Sequence, residues 1–202
     1  MLPLSKIFGI VLMAIYTWPL GAQQTNIAKK VNDFVLPCVQ GGKVSLKDYP
    51  DAKGFILVFT CNHCPFARMY GDRLNALHQK FFKLGVPLLA ISSTDTLQYQ
   101  EDTYSNMSKA AKDRKFEYPY LYDGSQAVAK KIGADKTPHA FVIWKESGEW
   151  VVRYNGAIDD NGGEPSEVQN PYVANAVEAL LEGRSIEVKE TKSIGCKIYF
   201  RK

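Results

Sequence analysis

Cysteine and histidine are scarce in this chain: 202 residues hold four Cys and three His. Four cysteines cannot staple a scaffold of this size, which excludes a disulfide-framework fold and points to a catalytic or redox use of the thiols. No second CxxC and no HxxxH accompanies the single CxxC, so a closed four-ligand zinc site is not expected. Internal repeats, low-complexity stretches and an interdomain linker are all absent. The Gly- and acid-rich run 159–165 is short enough to be one loop, and Asp159, Asp160 and Glu164 lack calcium-loop spacing, so they read as solvated loop acids. Nor does one sign of charge dominate: 25 basic against 21 acidic side chains give +4. The basic clusters Lys109 to Lys115 and Lys130 to Lys136 are interleaved with Asp113 and Asp135 and read as solvated helix faces, which excludes a dedicated nucleic-acid surface.

Long apolar runs are limited to one, Ile7 to Leu20, with Lys6 ahead of it and Gly21 and Ala22 behind. It is shorter than the roughly 20 residues a membrane span needs. The order charge, apolar run, small residues predicts a secretory signal peptide over residues 1–22. No Cys stands at the expected cleavage point, so a lipid anchor is not indicated. Loss of Lys6 with this segment leaves a formal charge of +3 (24 basic, 21 acidic). The expected product is a single exported domain, 23–202, in the periplasm or outside the cell, with no membrane span after cleavage.

What remains has the composition of an ordinary globular domain, 46% hydrophobic and 23% charged. Phe34 to Pro37 and Lys43 to Leu46 flank Gly41-Gly42 and predict an N-terminal hairpin. Phe55 to Phe59 is apolar without alternation, as a strand buried on both faces must be. Phe66, Tyr70, Leu74, Leu77 and Phe81 recur at helical spacing, with Gly85 as a stop, and predict one helix opening near Cys61. A strand over Val86 to Ile91 follows. A helix-prone polar stretch over Leu97 to Arg114 and a short helix around Gln126 to Ile132 come next. Ala140 to Trp144 and Trp150 to Tyr154, either side of Glu146 to Glu149, predict an antiparallel hairpin, and a last helix is expected over Val168 to Leu181. Alternation of strand and helix gives an α/β class. The tail from Arg184 is too apolar to be loose and should dock.

The chemistry concentrates in Cys61-Asn62-His63-Cys64, placed where a buried strand hands over to a helix. Two sulfurs three residues apart can close and open a disulfide with little backbone movement. Helix amides and dipole would favour a thiolate on the first sulfur, so Cys61 is the expected nucleophile and Cys64 the resolving thiol. Thr137-Pro138 stands just before the strand at Ala140, where a proline removes a ladder donor and suggests a functional edge.

Strand, CxxC, helix, βαβ, Thr-Pro, hairpin and helix is the order of a thioredoxin-like fold, and the chain resembles its redoxin branch, near the cytochrome-maturation thioredoxins and the peroxiredoxins. FTCNHCPF, PYLYDGSQAVAKKIGADKTPHAFV, GAIDDN and SIGCKIYF together are similar to bacterial thioredoxin-family, thiol-disulfide isomerase-like proteins, over about residues 32 to 202. The resemblance implies a central mixed sheet with helices on both faces, a cis peptide at Pro138, and a groove shaped by Pro138 and lined by Thr60 and Thr137. It departs from thioredoxin itself, because Thr60 and Phe55 stand where thioredoxin has a Trp and a buried acid. The peroxidatic pattern Pro-x-x-x-Thr-x-x-Cys is not met.

The function expected is thiol-disulfide exchange with protein thiols or disulfides, a membrane thiol-disulfide relay being one candidate partner. The Cys61/Cys64 disulfide itself carries the electrons, with no organic cofactor and no metal. A peroxiredoxin-like thiol peroxidase, with antioxidant activity, is the enzymatic alternative, and a metal-handling or redox-inactive binding module the other. Asn62 and His63 should tune the redox poise, His63 by donating to or placing charge near the Cys61 thiolate. His139, beside Pro138, is a candidate substrate contact, whereas His78 reads as structural. Cys38 and Cys196 are accessory thiols with three open readings: a mutual bridge, an accessory role for Cys196 at the site, or burial without function.

Overall fold

The computed structural model of the protein describes residues 29–201, so the signal-peptide expectation over 1–22 lies outside the described residues. In chain order the elements are β1 (Lys30–Val31), β2 (Val35–Pro37), β3 (Lys43–Ser45), β4 (Gly54–Phe59), α1 (Pro65–Arg68), α2 (Gly71–Phe82), β5 (Leu88–Ser92), α3 (Tyr104–Asp113), β6 (Tyr120–Tyr122), α4 (Ala127–Ile132), β7 (Lys136–Thr137), β8 (His139–Glu146), β9 (Glu149–Gly156), α5 (Tyr172–Leu181) and β10 (Cys196–Lys197). β4, the expected apolar strand, is buried along its whole length. It lies near the middle of a six-stranded mixed sheet in the order β1-β9-β8-β4-β5-β6. β5 runs parallel to β4 and β6 parallel to β5, whereas β8 and β9 form the antiparallel hairpin.

Alternation along β4 builds two cores. Ile56 and Val58 pack with Leu74, Phe81, Met107, Val173 and Val177 from α2, α3 and α5. Phe55, Leu57 and Phe59 face the other way, onto Leu36, Val128, Ile132 and Ile198. Full burial of each such side chain stabilises the fold by about 1.5–3 kcal/mol, and burial on both faces leaves the strand no freedom to slip register. The rigid end of β4 therefore delivers residues 60–64 to a fixed place.

One boundary differs from the sequence expectation. The helix does not open near Cys61: α1 begins at Pro65, and Cys64 is its extended N-cap at φ -74, ψ 120. The residue before a proline is sterically pushed out of the α region, which forbids Cys64 from being helical, while Pro65 suits the first helical position. The expected single helix also breaks at Met69 and Tyr70 before α2 resumes. A helix-dipole argument for Cys61 accordingly loses its basis, since Cys61 stands outside a helix of only four residues. Likewise the stretch Leu97 to Arg114 divides into a 3-10 turn at Gln100–Asp102 and α3, parted at Thr103.

The tail docks as expected. β10 pairs antiparallel with β7, setting Cys196 opposite Thr137. Gly195 makes this approach possible: a Cβ there would lie 2.1 Å from the Thr137 carbonyl oxygen, so no side chain fits. Ile198 is then buried against the β4 core and its N–H donates to the Asp135 carbonyl at 2.8 Å. Among the described residues no helix is long and apolar enough to cross a membrane.

Candidate active site

The two sulfurs of the CxxC converge on one residue. Cys61 Sγ lies 3.0 Å from the Thr137 hydroxyl, and Cys64 Sγ lies 3.1 Å from the Thr137 carbonyl oxygen. The Thr137–Pro138 peptide is cis, as the resemblance implied. Thr60 remains tied to the sheet, its N–H donating to the Ile91 carbonyl at 2.9 Å, and is buried beside the pair. Cys61 keeps 3% of its surface and Cys64 none, so both are buried and Cys61 is the less completely covered residue.

His63 does not point into water. Its Nδ1 is bound by the Asp102 carboxylate, its Nε2 lies 4.0 Å from Cys61 Sγ, and its ring stacks on Tyr99 at 3.8 Å between centroids. Asp102 is fully buried and also accepts from the Asn62 N–H. Asn62 in turn donates its side-chain amide to the Glu101 carbonyl at 2.8 Å. Cys61, His63 and Asp102 thus form a thiol–imidazole–carboxylate array, in which the carboxylate fixes the ring and the ring presents Nε2 to sulfur. Their ligand atoms come close to one another, but Asp102 is engaged on the far nitrogen of the imidazole and orients it. Burial pushes the Asp102 carboxyl up, against the pull of the Asn62 and His63 hydrogen bonds.

Nothing in the sequence singled out Asp102 or Tyr99, since both lie in a polar stretch without a motif. Burial of the one and stacking of the other appear only in the fold.

Charge within the pair is set by a shared proton. A hydrogen bond from Cys61, with further donors at Cys196 and at the Ala67 and Cys196 amides, draws Cys64 down to about 4 against its desolvation. Cys61, holding the proton, is pushed far up by that bond, by burial and by the Asp102 charge. The Thr137 carbonyl oxygen, which can accept from Cys64 Sγ at 3.1 Å, opposes that charge in part. Charge and accessibility therefore point to different sulfurs. Accessibility decides which one a partner can reach.

The remaining expected site residues separate. Cys196 belongs here: it packs on Cys61, Cys64 and Ala67, and its N–H lies 3.4 Å from Cys64 Sγ. Cys38 does not. It is buried in the second core, pairs across to Leu121 and donates its thiol to Gln40. Cys38 and Cys196 pack in different clusters, so the reading of a bridge between them gives way to Cys196 at the site. His139 stacks on Phe141 at 4.4 Å and lies 3.3 Å from Asp135, and burial lowers its pKa. Its partners are core and loop groups rather than the sulfurs. Asp159, read as a solvated loop acid, is buried and paired with Arg73 at 2.8 Å, with the Tyr70 hydroxyl donating to it at 2.9 Å.

A mixed sheet flanked by helices, with a dithiol beyond the end of its central strand packed on Thr137, defines a thioredoxin-like redox protein. Solved thioredoxin-like proteins of lower identity share the fold. The chain belongs to the AhpC/TSA family, whose model matches residues 27–159. Similar solved structures are an uncharacterized conserved protein from Geobacillus kaustophilus and a hypothetical protein from Sinorhizobium meliloti 1021. The first is 35% identical with TM-score 0.78, covering 86% of this chain and 92% of that one. The second is 30% identical with TM-score 0.78, covering 86% and 94%. A curated relative, the thiol-disulfide oxidoreductase ResA of Bacillus thuringiensis subsp. konkukian, is 24% identical over 124 residues, 61% of this chain and 67% of its own length.

Proposed function

We propose that the protein is an exported thiol-disulfide oxidoreductase that exchanges disulfides with protein thiols through Cys61 and Cys64. The observation that carries this reading is the convergence of both sulfurs on Thr137 beside Pro138. The name of the curated relative supports it, and the charge, apolar and small-residue order of residues 1–22 supports export to the periplasm or beyond.

In the reductive direction the Cys61 thiolate attacks a partner disulfide. A sulfur–sulfur bond forms between Cys61 and the partner, and the partner's other sulfur leaves as a thiolate. Cys64, relieved of its proton, then attacks Cys61 Sγ, the mixed disulfide breaks, and the partner departs with both thiols reduced. Two electrons pass from the Cys61/Cys64 dithiol to the partner, and the steps reverse for oxidation. His63 Nε2 receives the Cys61 proton, and Asp102 holds the ring for that transfer.

Cys64→Ser removes the resolving thiol, so a protein disulfide substrate should accumulate as a stable mixed disulfide on Cys61, visible as a reducible adduct by mass. Equal or better trapping by Cys61→Ser would reverse the two roles. Turnover of hydrogen peroxide with a thiol reductant, at a rate exceeding protein-disulfide exchange, would instead support the peroxidase reading. Stoichiometric metal on the purified protein would support metal handling.

A further inference from the structure

The site holds three sulfurs, whereas dithiol exchange needs two. The Cys61/Cys64 pair is nearly sealed, at 3% and 0% exposure, but Cys196 is only partly buried. Cys196 stands on β10, opposite Thr137, the residue on which the other two sulfurs converge. Its amide is 3.4 Å from Cys64 Sγ, and its side chain packs against the cluster that the two cysteines form with Ala67. The tail that carries it is fixed on both sides: Gly195 lies hard against the Thr137 carbonyl, and beyond Cys196 the buried Ile198 and a hydrogen bond from Gln126 Nε2 to the Tyr199 carbonyl, 2.9 Å, hold the chain down. Cys64 therefore has the buried Cys61 and the less buried Cys196 as its thiol neighbours.

We propose that Cys196 is a third redox thiol, the port through which a low-molecular-weight or protein disulfide exchanges with the occluded Cys61/Cys64 pair. This rests on the proposed oxidoreductase function and adds the route into the site. In the oxidising direction, the Cys196 thiolate attacks an external disulfide RSSR; the Cys196–SR bond forms and RS⁻ leaves. The Cys64 thiolate then attacks Cys196 Sγ, so the Cys64–Cys196 bond forms and a second RS⁻ departs. Finally the Cys61 thiolate attacks Cys64 Sγ, the Cys61–Cys64 bond forms, and Cys196 leaves as a thiolate and takes up a proton. Two electrons have passed from the pair to RSSR, and Cys196 ends as it began. Donors around Cys64 favour its charged form, as the second step requires. Burial and the neighbouring Cys64 raise Cys196 to about 12, so the first step is the slow one and quickens with pH.

The test uses the full chain with Cys38→Ser throughout, treated with oxidised glutathione, and maps disulfides by tryptic mass analysis. In Cys61→Ser the peptide Gly54 to Arg68 should become joined to Ser193 to Lys197. The reduced parent should acquire its Cys61–Cys64 bond at least ten times faster than Cys196→Ser or Cys196→Ala. Cys61→Ser carrying only a glutathione adduct on Cys196, or Cys196 variants oxidising at the parent rate, would overturn the port while a Cys61–Cys64 bond in the parent upholds the oxidoreductase. A parent that never forms Cys61–Cys64, alongside a linked Cys61→Ser, would leave the third thiol standing and overturn the two-cysteine reading.

Discussion

At the residue scale, the chemistry of Cys61 depends on an acid that no motif announced. A buried carboxylate bound to one imidazole nitrogen fixes which nitrogen is free to accept a proton, and here the free one faces sulfur. Asp102→Asn is expected to leave Cys61 in place but slow its alkylation by iodoacetamide at neutral pH by about tenfold or more, the scale of a misaligned general base. A purely structural loss would lower the rate equally at every pH. Loss of the base should flatten the acid limb of the profile, and an unchanged limb would remove Asp102 from the mechanism. His63 was legible from its place between the cysteines. Its orientation was not, because it is set by Asp102 and Tyr99, 39 and 36 positions further along the chain.

At the element scale, the long apolar strands were easy to read, whereas the short β1 and β6 and the helix starts were not. Phe55 to Phe59 and the Ala140 to Tyr154 hairpin carry unbroken apolar or paired patterns, which only strands buried in a sheet can satisfy. The opening of α1 was misplaced even though Pro65 marks it, because apolar periodicity continued across a break that proline sterics enforce. Asp159 was misread for a different reason: its partner Arg73 lies 86 residues away in α2. Arg73 also donates to the Asn161 and Gly162 carbonyls, each at 2.6 Å, and stacks on Tyr70, so one side chain fixes the loop beside Pro138 to the helix. Arg73→Met should lower unfolding free energy in urea by about 3 kcal/mol, because it leaves a buried carboxylate short of its cation. A loss below about 1 kcal/mol would show that Tyr70 and the loop amides suffice. Ile198→Ala should cost about 2–3 kcal/mol by opening a cavity under the tail.

At the scale of the whole molecule, the thiol pair links stability to pH. The hydrogen bond from Cys61 and the donors around Cys64 draw its thiol down to about 4 in the folded dithiol, against an ordinary value of 9.0. An acid depressed by folding contributes stability that is complete above its unfolded pKa and is lost as pH falls through the folded one. The reduced protein should therefore gain stability as pH rises from about 4 to about 9, an increment that Cys64→Ser abolishes. Urea midpoints of the reduced parent and variant at pH 5 and pH 8 would measure it. Identical pH dependence in both would mean the thiolate does not reside on Cys64. The pairing of β10 with β7 has a consequence in time as well. Cys196 follows Cys64 by 132 residues, which at about 5–20 residues per second is a delay on the order of 10 s during synthesis. A chain growing from its N-terminus thus has its CxxC finished while the segment that walls it in is still to be made. Until that segment docks on β7, the pair lacks the wall that β10 supplies.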